Sequence, residues 1–79
     1  MAPTVYRDGA YRYFFFSREE TRKHEHVSHP DGEAKFWLVP QVSLATSVGL
    51  SARQLREAEL SVTGHWKEIN DAWNRHFPG

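Results

Sequence analysis

Two Asp-Gly pairs, at positions 8–9 and 31–32, each divide a run rich in β-branched and aromatic residues. An Asp-Gly pair between such runs signals a β-hairpin, because the tight turn needs positive φ where the strands reverse. The spacing predicts TVYR paired with AYRYFFFS, and HEHVSH paired with EAKFWLV. With Asp8 and Gly9 as the first turn, Arg7 faces Ala10, Tyr6 faces Tyr11 and Val5 faces Arg12. With Asp31 and Gly32 as the second, His29 faces Ala34, Val27 faces Phe36 and Glu25 faces Leu38. On the other side Ser28 faces Lys35, His26 faces Trp37 and His24 faces Val39. The run Phe14–Phe16 is apolar on both faces, which suits a central or doubly covered strand. SREETRK, residues 17–23, is polar without periodicity and reads as a loop, and Pro40 ends the fourth strand. QVSLATSVG, residues 41–49, fits a short strand and a helical turn equally.

The pattern then changes period. Ser51 stands as an N-cap with Gln54 three residues on to close a capping box, and Leu50 and Leu55 are placed as a hydrophobic staple. Leu55, Ala58, Val62, Trp66, Ile69, Trp73 and Phe77 follow helical spacing and form an expected buried stripe, Trp73 and Phe77 being alternatively a docking patch. Gly64 costs about 1 kcal/mol relative to Ala and is the expected bend or break; Pro78-Gly79 ends the helix. The fold expected is α+β: an antiparallel four-stranded meander packed against one long or two short C-terminal helices.

With 79 residues there is room for one core, so residues 1–79 form a single domain. Cysteine is absent, which excludes disulfides, thiolate chemistry and Cys-based zinc sites. Three Trp, three Tyr and five Phe supply large buried areas instead. Ten basic and ten acidic residues balance, so the basic stripe of a non-specific duplex binder is missing. No apolar run approaches the roughly 20 residues needed to span a bilayer, and the start lacks a signal-peptide pattern. A soluble, cytoplasmic protein is the expectation, without a membrane partner. No P-loop, G-x-G-x-x-G, H-E-x-x-H or nucleophile elbow is present.

Three histidines fall within KHEHVSH, residues 23–29. Strand alternation puts His24, His26 and Ser28 on one face and Glu25, Val27 and His29 on the other. Val27 opposite Phe36 marks the second face as core, so His24 and His26 project together from the opposite face, roughly 7 Å apart, beside Trp37 and Lys35. Two imidazoles fall short of the three or four ligands and oriented outer shell that zinc takes. The further candidates, Glu19, Glu20, Asp31, His65 and His76, are not fixed by spacing, so no metal or other cofactor is expected. Metal-free RNA cleavage needs a base for the 2′-hydroxyl, an acid for the leaving oxygen and a cation for the phosphate. His24 and His26 suit the first two roles and Lys35, Arg12 or Lys23 the third, with Trp37 or Tyr13 to stack a base. The plainer alternative is that the imidazoles pack on Trp37 and Val39 or meet a partner protein. His29 has a hydrogen bond in its turn as its plainer role. An Arg within an apolar strand also has one: an ion pair from Arg12 to Glu57 or Glu59. The aromatic run from Tyr11 is a core element before it is a stacking platform, since no glycine-bearing ribonucleoprotein motif accompanies it.

APTVYRDGAYRYFFFS, HEHV, EAKFWL, GLSARQLRE and AWNRHF, in that order and spacing, resemble a family of small bacterial proteins catalogued as domain of unknown function 4160. The resemblance covers nearly the whole chain. It implies a compact bacterial domain, often encoded beside a second small protein in an arrangement like a toxin–antitoxin pair. The family's H-x-H falls on His24 and His26; its usual leading Pro-Pro is replaced here by Arg22-Lys23. The function expected is then the toxin-like component of such a module, a metal-independent ribonuclease acting through the paired histidines. The alternative is a non-enzymatic protein-interaction module, either an antitoxin-type partner or a phage-encoded inhibitor of a host defence system. The partners implied are a cognate small protein and RNA, with a homodimer also open, the last helical turn shared or swapped.

Overall fold

The computed structural model describes residues 4–15 and 22–77. Five strands, β1 (Thr4–Asp8), β2 (Tyr11–Phe14), β3 (His24–His29), β4 (Gly32–Trp37) and β5 (Ser43–Val48), precede α1 (Ala52–Gly64) and α2 (Trp66–His76). Each strand pairs antiparallel with the next, in the order β1-β2-β3-β4-β5. The meander expected from sequence is present with one strand more: residues 43–48 extend against β4. Six residues with Thr and Val at alternate positions fit both periods, and an unpaired edge of β4 decides between them.

Both hairpins form, and both turns sit one residue away from the Asp-Gly pairs. In the first, Asp8 pairs with Tyr11, Arg7 with Arg12 and Tyr6 with Tyr13, so Gly9 and Ala10 make the loop. Within this turn Gly9 alone has positive φ, at +62°, and among the described residues no non-glycine residue does. A two-residue turn with positive φ at its first position alone wants glycine there, which moves the turn off Asp8. In the second, His29 pairs with Gly32, Val27 with Ala34, Glu25 with Phe36, His26 with Lys35 and His24 with Trp37, leaving Pro30 and Asp31 as the loop. Proline's locked negative φ takes the first turn position and excludes a turn that starts on Asp31. His29 Nδ1 accepts the Asp31 N–H at 3.0 Å there. A turn displaced by one residue changes each residue's partner by two, so side chains keep their faces, except at the start of β1, where an irregularity between Thr4 and Tyr6 sets Thr4 opposite Phe14.

One face of the sheet carries Tyr13, Phe15, Val27, Ala34, Phe36 and Leu38, and these close on Ala58, Val62, Ile69 and Trp73 of the helices. The capping box is complete: Ser51 Oγ accepts from the Gln54 N–H and Gln54 Oε1 from the Ser51 N–H. Gln54 Nε2 also donates to Asp31 Oδ2 at 2.8 Å, fastening the β3–β4 turn to the start of α1. The helix breaks after Gly64, where His65 leaves helical geometry and stacks on Tyr6 with ring centroids 4.2 Å apart. The break turns Trp66 outward, 37% exposed, although its indole N–H still reaches the Leu38 carbonyl at 3.1 Å. Trp73, offered as a docking residue, is instead core. The loop expected over 17–23 lies, through Thr21, outside the described residues, as do Phe16, Glu19, Glu20 and Pro78-Gly79.

The β3–β4 turn crosses the β5–α1 corner at backbone contact. A Cβ on Gly32 would meet the Val48 carbonyl oxygen and the Gly49 backbone, while Gly49, at φ +82°, faces Asp31 and Gly32. Backbone cannot give way as a flexible side chain does. Gly32→Ala is expected to lower stability by about 1–3 kcal/mol through overpacking, measured as a drop in the urea midpoint. A midpoint equal to the wild type would show that this crossing is loose.

Candidate functional site

The helix-free face of the sheet is built from the alternate residues of the same strands. Arg12 and Phe14 come from β2, His24 and His26 from β3, and Lys35 and Trp37 from β4. The ladder sets His26 beside Lys35 and Phe14, and His24 beside Trp37. His26 stacks on Phe14 at 5.5 Å between ring centroids. The His24 and His26 rings lie 5.1 Å apart, edge to face, so the paired imidazoles expected from alternation are together.

Their depths differ. His26 is half-buried and reaches solvent, whereas His24 is fully buried. Trp37 lies 5.8 Å and Trp73 5.3 Å from the His24 ring, both edge-on. His24 Nδ1 sits 2.7 Å from the Arg22 carbonyl oxygen. A carbonyl only accepts, so this nitrogen donates and the contact fixes the orientation of the ring. The expectation that both imidazoles project to solvent is corrected: a strand's alternation sets the face of a side chain and leaves its depth to the neighbouring layers. Of the two imidazoles, only His26 reaches solvent.

Cations stand over the aromatic rings of this face. The Arg12 guanidinium lies 4.5 Å from the Phe14 centroid and its Nε donates to Thr4 Oγ1 at 2.8 Å. The expected ion pair with Glu57 or Glu59 is thereby corrected, since Arg12 points away from the helices; Glu57 accepts instead from the Tyr11 hydroxyl at 2.7 Å. Arg22 lies 4.2 Å and Lys35 4.6 Å from the Trp37 ring. Cation–π pairs of this kind contribute about 0.5–1 kcal/mol where solvent reaches them. A cleft of about 190 Å³ runs beside them, walled by Phe14, His26, Lys35, Glu33, Thr46 and Val48. That is smaller than the roughly 300–1,000 Å³ of small-molecule sites, and fits one group of a larger ligand.

Two further expected binding residues fall elsewhere. Tyr13 is fully buried on the helix-covered face and stacks on Tyr6 at 4.3 Å, so it meets no base without unpacking the core. Lys23 turns toward α2, donating to Asn70 Oδ1 at 2.7 Å. Arg22, which sequence reasoning noted only as a departure from Pro-Pro, joins the site; a cation beside an aromatic strand end was the available signal. Among the described residues no group of three His, Asp or Glu side chains is placed to hold a metal ion.

Sequence reasoning also passed over Glu25. Its alternation with Val27 places it inward, and it is fully buried, with neither carboxyl oxygen hydrogen-bonded. Burial pushes its pKa up to about 9, so the carboxyl is neutral at neutral pH. Nearby, the Tyr6 hydroxyl lies 3.0 Å from Ser61 Oγ, which donates to Asp8 Oδ2 at 2.9 Å and ties β1 to α1.

Fold and site together define a small α+β domain with helices on one side of its sheet and a cation-and-aromatic surface on the other. The chain belongs to the family described as a domain of unknown function (DUF4160), whose model matches residues 10–74. No curated protein and no solved structure matches it. No helix among the described residues is long and apolar enough to cross a membrane.

Proposed function

We propose that this chain is the toxin-like component of a bacterial toxin–antitoxin-type module, and that it engages RNA by binding on the helix-free face of its sheet. The observation that carries the reading is three cations, Arg12, Arg22 and Lys35, set over the rings of Phe14 and Trp37. Single-stranded nucleic acid is held by this pairing: an aromatic face stacks a base, here the half-buried Trp37 because Phe14 is itself buried, and the cations follow the phosphates. A local patch suffices for this on a chain whose net charge is zero. The module-level role comes from the family's gene arrangement.

The burial of His24 favours binding over cleavage by two imidazoles. General acid–base cleavage needs both groups within hydrogen-bond reach of the reacting oxygens, and His24 is enclosed by Trp37, Trp73 and the Arg22 carbonyl. His26, with Lys35 beside it, contacts the RNA backbone in this reading.

The test is fluorescence anisotropy of a labelled single-stranded oligoribonucleotide. Three neutralised phosphates give a log–log salt slope of about −2, and Lys35→Ala reduces it by about 0.7. Trp37→Ala loses one stacking contact and weakens binding roughly 5- to 150-fold, from about 1–3 kcal/mol per base. The RNA stays full length. Absence of binding by folded wild-type protein in low salt sinks the RNA reading, as does unchanged affinity in Trp37→Ala. Growth arrest by this chain alone, relieved by the neighbouring gene, is the result expected for the toxin role.

A further inference from the structure

We infer that two copies of this chain associate through the flank formed by β5 and α1, in a two-fold dimer. Leu44 of β5 is 42% exposed and Leu60 of α1 is 67% exposed. Both wall one groove of about 350 Å³, with Phe36 and Leu55 in its floor and Arg56 and Glu59 on its rim. A groove of that volume takes a leucine side chain from outside, and each copy offers one in Leu60.

The charges on the rim identify the occupant. Arg53 pairs with Glu57 at 3.5 Å and Lys67 with Asp71 at 3.1 Å within one turn, so those four charges are already partnered. Arg56 and Glu59 stand one turn apart on the groove side, and among the described residues neither makes an ion pair or hydrogen bond. One cation and one anion at that separation form a self-complementary pair. A two-fold axis sets Arg56 of each copy against Glu59 of the other and Leu60 of each into the other's groove. A chain of zero net charge adds no long-range repulsion between copies.

The β5 side of the contact suits burial. Ser43–Val48 contains no charged residue and no proline, the devices that ordinarily protect an edge strand. Its ladder with β4 is irregular where Lys35 pairs with Thr46 and Phe36 with Leu44. Such an irregularity bends an edge away from flat pairing, so side chains make the contact and no ladder continues across it.

The experiment is sedimentation equilibrium of the purified chain over a micromolar concentration series, without RNA. The wild type is expected at twice the chain mass at the upper end. Leu60→Lys gives monomer at every concentration. Arg56→Glu sets carboxylate against carboxylate and raises the dissociation constant about tenfold or more, and adding Glu59→Arg to it restores the dimer. The substituted residues are exposed, and a far-UV circular dichroism spectrum matched to the wild type verifies each fold, since loss of the dimer by itself lowers the melting temperature. A wild type that stays monomeric overturns the inference. So does a dimer indifferent to Leu60→Lys or Arg56→Glu, or one that the double charge reversal fails to restore. The RNA reading is unaffected by any of these results.

Discussion

Glu25→Gln is expected to raise stability by about 3 kcal/mol at neutral pH and to flatten its dependence on pH. The unfolded chain releases the Glu25 proton near the ordinary value of 4.5, while burial holds the folded pKa at about 9. Between those values the folded state keeps a proton that the unfolded state has lost. Stability therefore falls as pH rises across this window, by about tenfold in the folding constant per pH unit. Below 4.5 both states are protonated and the penalty from this group vanishes. Above about 9 the carboxylate is charged in both states and the penalty is at its largest and constant. Glutamine has the same shape and carries no proton to release. Urea denaturation of both proteins at several pH values tests this. The two curves should meet at the acid end and diverge as pH rises. Parallel curves would mean that water reaches the carboxyl or that a partner offsets its charge.

Trp73→Ala is the substitution expected to do most damage. Trp73 lies in the main core cluster, edge-on to Phe15 at 5.3 Å and against Phe77 at 4.4 Å. Truncating a buried aromatic to alanine costs about 3–5 kcal/mol, from lost transfer energy and the cavity left behind. A domain of this length has roughly 4–12 kcal/mol in total, so the variant approaches or passes its folding limit. Trp73 also covers His24, which adds a second measurement. In the wild type, diethyl pyrocarbonate is expected to modify His26 and spare His24. In Trp73→Ala, held folded by an osmolyte, His24 should react too. Stability within 1 kcal/mol of wild type, well under the magnitude above, would remove Trp73 from the core.

The elements legible in the sequence were those set by local rules. Ser51 and Gln54 cap α1 as spacing predicts, because a capping box involves four consecutive residues and no tertiary context. Ala58, Val62, Ile69 and Trp73 are buried because a 3.6-residue period dictates one face. Trp66 departs from the stripe because the break at Gly64 and His65 interrupts that period. The hairpins were legible, but their frames were decided by φ at single residues, Gly9 and Pro30. The faces of β3 survived because each frame moved by one residue. At the site, alternation brought His24 and His26 together but could not rank their depth, which depends on Trp73, nearly fifty residues away. Glu25 shows the converse. Its inward position was legible, and nothing in a polar side chain's chemistry announces that a core will accept it.

The order β1-β2-β3-β4-β5 also bears on how the chain reaches this structure. Every ladder joins neighbours in sequence, so closing each hairpin encloses a short loop and loses little chain entropy. Assembly can begin at the β3–β4 hairpin and spread outward strand by strand, which favours rapid acquisition of the sheet. The contacts that dock the helices span the longest separations, as where Tyr6 meets Ser61 across 55 residues, and closing them costs the most chain entropy. Wherever they are absent, the inner face with Tyr13, Val27 and Phe36 is open to water and Glu25 is free to ionise.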